Sequence, residues 1–197
     1  LRQALARDGD KRPRVAVAVV ELDFFAQIQS LYGVAAGNEV FKSAAETLQR
    51  AAGDSATVWR LGSGRFGVLL PGASIDEAVA WAEKARQELG EMETAVEPQT
   101  MRITASFGVT DCDVESPDAD EIVRRAFNAL RRAKMSGHDC VEPWDESTEE
   151  ADSHDSSTPV RFLRNSVARD IFSPCPLVLH QDDALPYARH PSRARAA

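Results

Sequence analysis

The run Val15 to Leu22, VAVAVVEL, constrains the fold more than any other stretch: seven of its eight residues are apolar, and it is bounded by Pro13 and Arg14 on one side and Asp23 on the other. A short, β-branched apolar run without polar alternation reads as a buried central strand. Its end delivers two acids, Glu21 and Asp23, to the rim of whatever sheet forms around it.

The flanking segments supply the rest of such a sheet and its cover. FFAQIQSLYG, ending at Gly33, reads as a short helix, and a longer one opens after Gly37 with Val40, Phe41, Ala44, Ala45, Leu48 and Ala51 at helical spacing until Gly53 and Asp54 end it. Residues 57–61 and 65–70, TVWRL and RFGVLL, flank Gly62-Ser63-Gly64, whose glycines permit the positive φ of a tight hairpin turn. Ser74 followed by Glu77 is a capping box, opening a helix with Ala78, Ala82, Ala85 and Leu89 as its apolar stripe and an end near Gly90. Residues 101–109, MRITASFGV, alternate apolar and more polar residues, which predicts a single strand covered on one face. Asp118 with Glu121 opens a last helix, with Ile122, Val123, Ala126, Leu130 and Ala133 on one side, Arg124, Arg125, Arg131 and Arg132 on the other, and a stop at Gly137. Strand, helix, helix, hairpin, helix, strand, helix predicts an α+β sandwich with helices packed on a mainly antiparallel sheet.

Composition narrows the classes. A length of 197 residues allows one full domain and an appendage, and no apolar run approaches the ~20 residues that span a bilayer. The net charge of −8 excludes a general DNA or RNA partner, for which clustered Lys and Arg would be needed. Most of the excess is local: Glu142, Asp145, Glu146, Glu149, Glu150, Asp152 and Asp155 follow one another without a Lys or Arg, so residues 142–158 read as an acidic linker after a domain at 1–141. Residues 159–197 are too few to bury a core of their own. Cys112, Cys140 and Cys175 are odd in number and widely spaced, which fits neither a disulfide framework nor a zinc site and points to a reducing, cytoplasmic setting. The chain opens at Leu1 rather than Met and reads as a piece of a longer polypeptide.

Five stretches resemble the GGDEF family, the diguanylate cyclase domains that condense two GTP molecules into cyclic di-GMP. ELDFFAQIQSLYGVAAGNEVF is similar to the family's DxDxFKxINDxxGHxxGDxxL, RLGSGRFGVLLPG to RxGGDEFxxLLPG, TASFGV to the SIGVA strand, and NALRRAKMSGHD to DxALYxAKxxGRN, while the SIDEAVAWAEKAR helix falls between hairpin and strand. The resemblance covers about residues 14–142, without the family's opening LTGLxNR segment. It implies the ferredoxin-like palm of nucleotide cyclases, and a homodimer, because active members place one GTP in each half-site.

The departures bear on chemistry. In the family, the first acid of DxD and the acidic third position of the signature hold the ions that bridge GTP phosphates, since Mg²⁺ requires hard oxygen ligands. Glu21 keeps the first position, whereas Gly64 and Arg65 replace the two signature acids, removing one ligand and placing a fixed cation beside its former place. The resemblance also places vestigial nucleotide contacts at Asp23, Gln29, Asn38, Gly62, Ser63, Lys134 and His138, with Gln29 and Asn38 standing where the family has the guanine-reading Asn and Asp. Lys134 keeps the phosphate Lys, His138 replaces the Arg that follows it, Arg60 keeps the Arg before the signature, and GDSA at 53–56 does not carry the RxxD inhibitory motif. Each has a plainer reading: the glycines serve the turn, and cations near a helix C-terminus are favourable by themselves. Arg65 is expected to replace the metal electrostatically by pairing with Glu21 or Asp23. VARDIFSPCPLVLHQDDAL, residues 167–185, resembles the opening of a CBS domain cut short.

The sequence therefore reads as a catalytically degenerate GGDEF-like domain, a non-enzymatic signalling or interaction module without a catalytic residue or a required cofactor. The alternatives are a diguanylate cyclase using Mg²⁺ and GTP with Glu21 as an atypical metal ligand, and a GTP sensor without turnover.

Overall fold

In a computed structural model, residues 14–96, 99–113 and 119–146 are described. The elements run β1 (Arg14–Leu22), α1 (Phe25–Ala52), β2 (Thr57–Gly62), β3 (Arg65–Pro71), α2 (Ile75–Glu91), β4 (Glu93–Val96), β5 (Gln99–Arg102), β6 (Ala105–Asp113), α3 (Ala119–Met135) and β7 (Val141–Pro143). The main sheet has the order β2-β3-β1-β6-β7, antiparallel except for the parallel β6–β7 pair. The predicted α+β sandwich and its central β1 are thus present.

Period-two alternation along β1 divides its side chains between two cores. Ala16, Ala18, Val20 and Leu22 face α1 and α2 together with Phe66, Val68, Phe107 and Leu48, whereas Val15, Val17 and Val19 join Leu69, Ile122, Ala126 and Leu130 beneath α3. Val17, Val19 and Val20 are no more than 1% exposed, each worth about 1.5–3 kcal/mol of transfer free energy. Glu21 continues the odd-numbered series and so emerges on the α3 face.

Three sequence expectations are corrected. The chain breaks in α1 at Gly33, with φ 87° and ψ 166°, and helix resumes immediately rather than after Gly37. Gly37 is buried inside that helix, because the Gln29 side chain lies where a Cβ would project. Residues 101–109 are not one strand: β5 pairs with an unforeseen β4 in a separate hairpin, and β6 begins at Ala105. At the break, the Thr104 carbonyl accepts the Asp23 N–H at 2.9 Å. Nor is β6 covered on one face only, since Ser106 and Thr110 are buried on the α3 side. Gly108 lies between them, where a Cβ would collide with the α3 backbone at Ala126 and Leu130.

Ser74 forms the expected capping box with Glu77. The hairpin turn is Ser63-Gly64, with Gly62 paired to Arg65, and only Gly64 uses a positive φ, 73°. The first residues of the stretch expected as linker carry structure: β7 runs to Pro143, and the Trp144 N–H donates to the Val109 carbonyl at 2.7 Å. The Asp118 cap, the acidic stretch beyond residue 146, Cys175 and the CBS-like segment lie outside the described residues.

Candidate functional site

The site grows out of strand register. Glu21 is directly opposite Arg65 on β3 and Ser106 on β6, so hairpin and central strand bring the carboxylate and the guanidinium together as a cross-strand pair. Arg65 Nε lies 3.2 Å from Glu21 Oε2, while Lys134, near the C-terminus of α3, donates from Nζ to Oε1 at 2.6 Å. One carboxylate, 20% exposed, is therefore held between two cations that are 40% and 37% exposed. The expected Arg65 pairing occurs with Glu21.

Asp23 turns inward and is 4% exposed. Its carboxylate accepts from Thr104 Oγ1 at 2.7 Å, Ser106 Oγ at 2.7 Å and the Asp139 N–H at 3.1 Å. Through these donors its oxygens brace the β1–α1 turn against β6 and the segment after α3, and of the two acids expected as partners of Arg65 it is Glu21 that pairs with it. The bracing brings sharp local backbone, with Phe24, His138 and Asp139 at φ 56°, 67° and 48°.

Of the remaining expected residues, Ser63 and Gln29 meet, the Ser63 hydroxyl donating to Gln29 Oε1 at 3.2 Å. Asn38 is exposed one residue beyond the Gly37 over which Gln29 packs. Gly62 closes the hairpin, Arg60 covers the Phe41 ring at 4.5 Å, and His138 stacks on the exposed Phe24 ring at 4.9 Å. Gly64 admits no side chain easily, because a Cβ there would come within 2.8 Å of the Phe25 ring. Sequence reasoning missed Thr104, Ser106, Phe24 and Asp139. Asp139 also binds Arg86 of α2 at 2.6 Å, a bond that, ahead of Glu83, raises the guanidinium pKa. Nearby, burial followed by the Glu142 charge raises the Cys140 thiol pKa. An open cavity of about 750 Å³, lined by Ile75, Asp111, Arg125 and Trp144, sits toward the other end of the sheet from Glu21.

A sequence model of the GGDEF family, described as diguanylate cyclase, GGDEF domain, matches residues 1–140. The chain belongs to the GGDEF family. It is 30% identical over 133 residues to Diguanylate cyclase A of Treponema denticola, an overlap of 68% of this chain and 36% of that relative. To diguanylate cyclase DgcP of Pseudomonas aeruginosa it is 32% identical over 143 residues, 72% of this chain and 21% of the relative. The chain thus spans about a third or less of these relatives' length. Among solved structures it is similar to the active GGEEF domain of a diguanylate cyclase from Vibrio cholerae, with a TM-score of 0.63 and 25% identity over 68% of this chain and 84% of that one.

Against the ion that the GGDEF resemblance implies, the donor set does not fit. Glu21 has a cation on each oxygen, Asp23 is buried and turned to three neutral donors, and Gly64 brings no ligand. Among the described residues no three His, Cys, Asp or Glu side chains are grouped to hold a metal, and no helix there is long and apolar enough to cross a membrane.

Proposed function

We propose that this GGDEF domain no longer condenses GTP and acts as a non-enzymatic signalling or protein-interaction module of a cyclic di-GMP-type regulatory protein in the cytoplasm. The observation that carries this reading is the double occupation of Glu21 by Arg65 and Lys134. Phosphoryl transfer depends on charge neutralisation at the phosphates and on activation of the attacking hydroxyl, both of which divalent ions supply through hard oxygen ligands. Here the Glu21 carboxylate is already neutralised, and Gly64 stands where a ligand would be needed. The reading keeps a unit at 1–141, a spacer at 142–158 whose first residues close the sheet as β7, and a CBS-like segment from 159, with a second copy or a signalling protein as partner.

Incubating the chain with GTP and Mg²⁺ or Mn²⁺, with the Treponema cyclase as positive control, tests it by chromatography of the products. No cyclic di-GMP is expected; its formation at a rate within about tenfold of the control would restore the reading of a cyclase with atypical ligands.

A further inference from the structure

The cavity beside Trp144 is remote from the Glu21 cleft: on β1, Ala16 lies opposite Asp111 and Glu21 opposite Ser106, a separation of five residues, or about 16 Å along the strands. Its walls are apolar where Ile75 and Val79 of α2 meet Trp144, and Asp76, Asp145 and Glu146 stand exposed around it. Asp111, also in the lining, accepts the Ile75 N–H at 3.2 Å and meets Arg14 at 3.6 Å. Arg125, the one cation among the described lining residues, is held by Glu121 at 2.8 Å and Glu146 at 3.8 Å.

The acids gather here for a reason of topology. Both α2 and α3 begin at this end, and each carries two acids in its first turn, Asp76 and Glu77 or Asp120 and Glu121, where the helix dipole favours negative charge. An apolar-walled cavity with an anionic rim suits a segment that mixes apolar and cationic side chains. Such a segment follows in the chain itself. Residues 159–169, PVRFLRNSVAR, carry Arg161, Arg164 and Arg169 among Val160, Phe162, Leu163 and Val167, and no acid occurs from Ser156 to Arg169. The described residues end at Glu146, on the rim, and the thirteen residues between Glu146 and Val160 span up to about 45 Å, ample for a return to the cavity. At the roughly millimolar effective concentration that such a tether gives, a contact of only about 0.1 mM affinity is made about nine-tenths of the time.

We propose that residues 159–169 of this chain dock in the cavity between α2 and Trp144, their arginines meeting the acidic rim and their apolar side chains the α2 wall. The docking does not depend on whether GTP is turned over, and it holds the start of the CBS-like segment against the GGDEF domain.

Limited trypsin digestion of the full chain, followed by mass spectrometry, tests the proposal, with each rate divided by that of the same bond in a synthetic peptide of residues 156–197. Cleavage after Arg161 and Arg164 is expected to be about tenfold slower than after Arg193, which lies outside the docked segment and serves as internal reference. Asp76→Asn combined with Glu146→Gln removes rim charge, and Ala80→Trp fills the mouth from an exposed helix position. Each should bring the two rates up to the reference, as should about 0.5 M NaCl, and circular dichroism verifies the fold of the variants. Absence of protection in the parent, protection that persists in either folded variant, or protection lost on dilution, which identifies a second copy as the occupant, would overturn the proposal.

Discussion

Replacing Asp23 with Ala removes the acceptor for three donors in one step. The carboxylate is 4% exposed, so solvent does not substitute for it, and its partners at 2.7, 2.7 and 3.1 Å are two hydroxyls and a backbone N–H. Hydrogen bonds to a charged group are worth about 1.5–3 kcal/mol each, while removing a buried charge recovers part of its desolvation cost. The net loss is about 3–4 kcal/mol. With a urea m-value of about 2 kcal/mol/M, the unfolding midpoint should fall by roughly 1.5–2 M. Asp23→Asn retains the oxygen that accepts from Thr104 and Asp139, and the Ser106 hydroxyl can reverse to accept from the new amide, so about half of the loss is expected. A double-mutant cycle with Ser106→Ala should return a coupling of about 1 kcal/mol or more. A midpoint shift below about 0.5 M for Asp23→Ala, with m unchanged, would refute the bracing role.

Gly64→Ala should cost about 1–3 kcal/mol by chemical denaturation, because it adds a positive-φ penalty to a contact with the Phe25 ring, and Gly64→Asp should cost no less. Glu121, whose pKa is lowered to about 2 by Arg124 first and Arg125 next, contributes stability that is full above the unfolded value near 4.5 and is lost as pH falls toward 2. The urea midpoint of the parent should therefore exceed that of Glu121→Gln at pH 6, and the gap should close between pH 4.5 and 2 and narrow in high salt. Burial raises the Cys140 pKa, so in a chain carrying Cys112→Ser and Cys175→Ser its alkylation by iodoacetamide at pH 8 should be slower than that of an unfolded control, a difference removed by urea.

Legibility followed the range of the interactions. The apolar run at 15–20 announced a central strand because burial on both faces leaves no polar position, and the Ser74 cap was legible because its partner is three residues away. The Glu21–Arg65 pair could be anticipated once the hairpin and β1 were taken as neighbours, since register alone places the two residues opposite each other. The inward turn of Asp23 could not, because its partners Thr104, Ser106 and Asp139 lie 81 to 116 residues away and each is unremarkable in its own segment. The alternation at 101–109 misled for a physical reason. Ser106 and Gly108 read as a solvated face but are small enough to admit a helix against the strand, with Ser106 using Asp23 as its acceptor.

Gly108 sets a tolerance for the whole cleft. Where two elements touch through long side chains, rotamer changes can absorb a displacement; where a helix backbone rests directly on a strand backbone, hard-sphere repulsion leaves almost no travel. Lys134 is one helical turn past Leu130, which lies over Gly108, so the reach of its ammonium group to the end of β1 is gauged by a missing side chain in the middle of β6. Residues lining the cleft are then free to vary in chemistry while its dimensions are inherited from a position that no ligand touches.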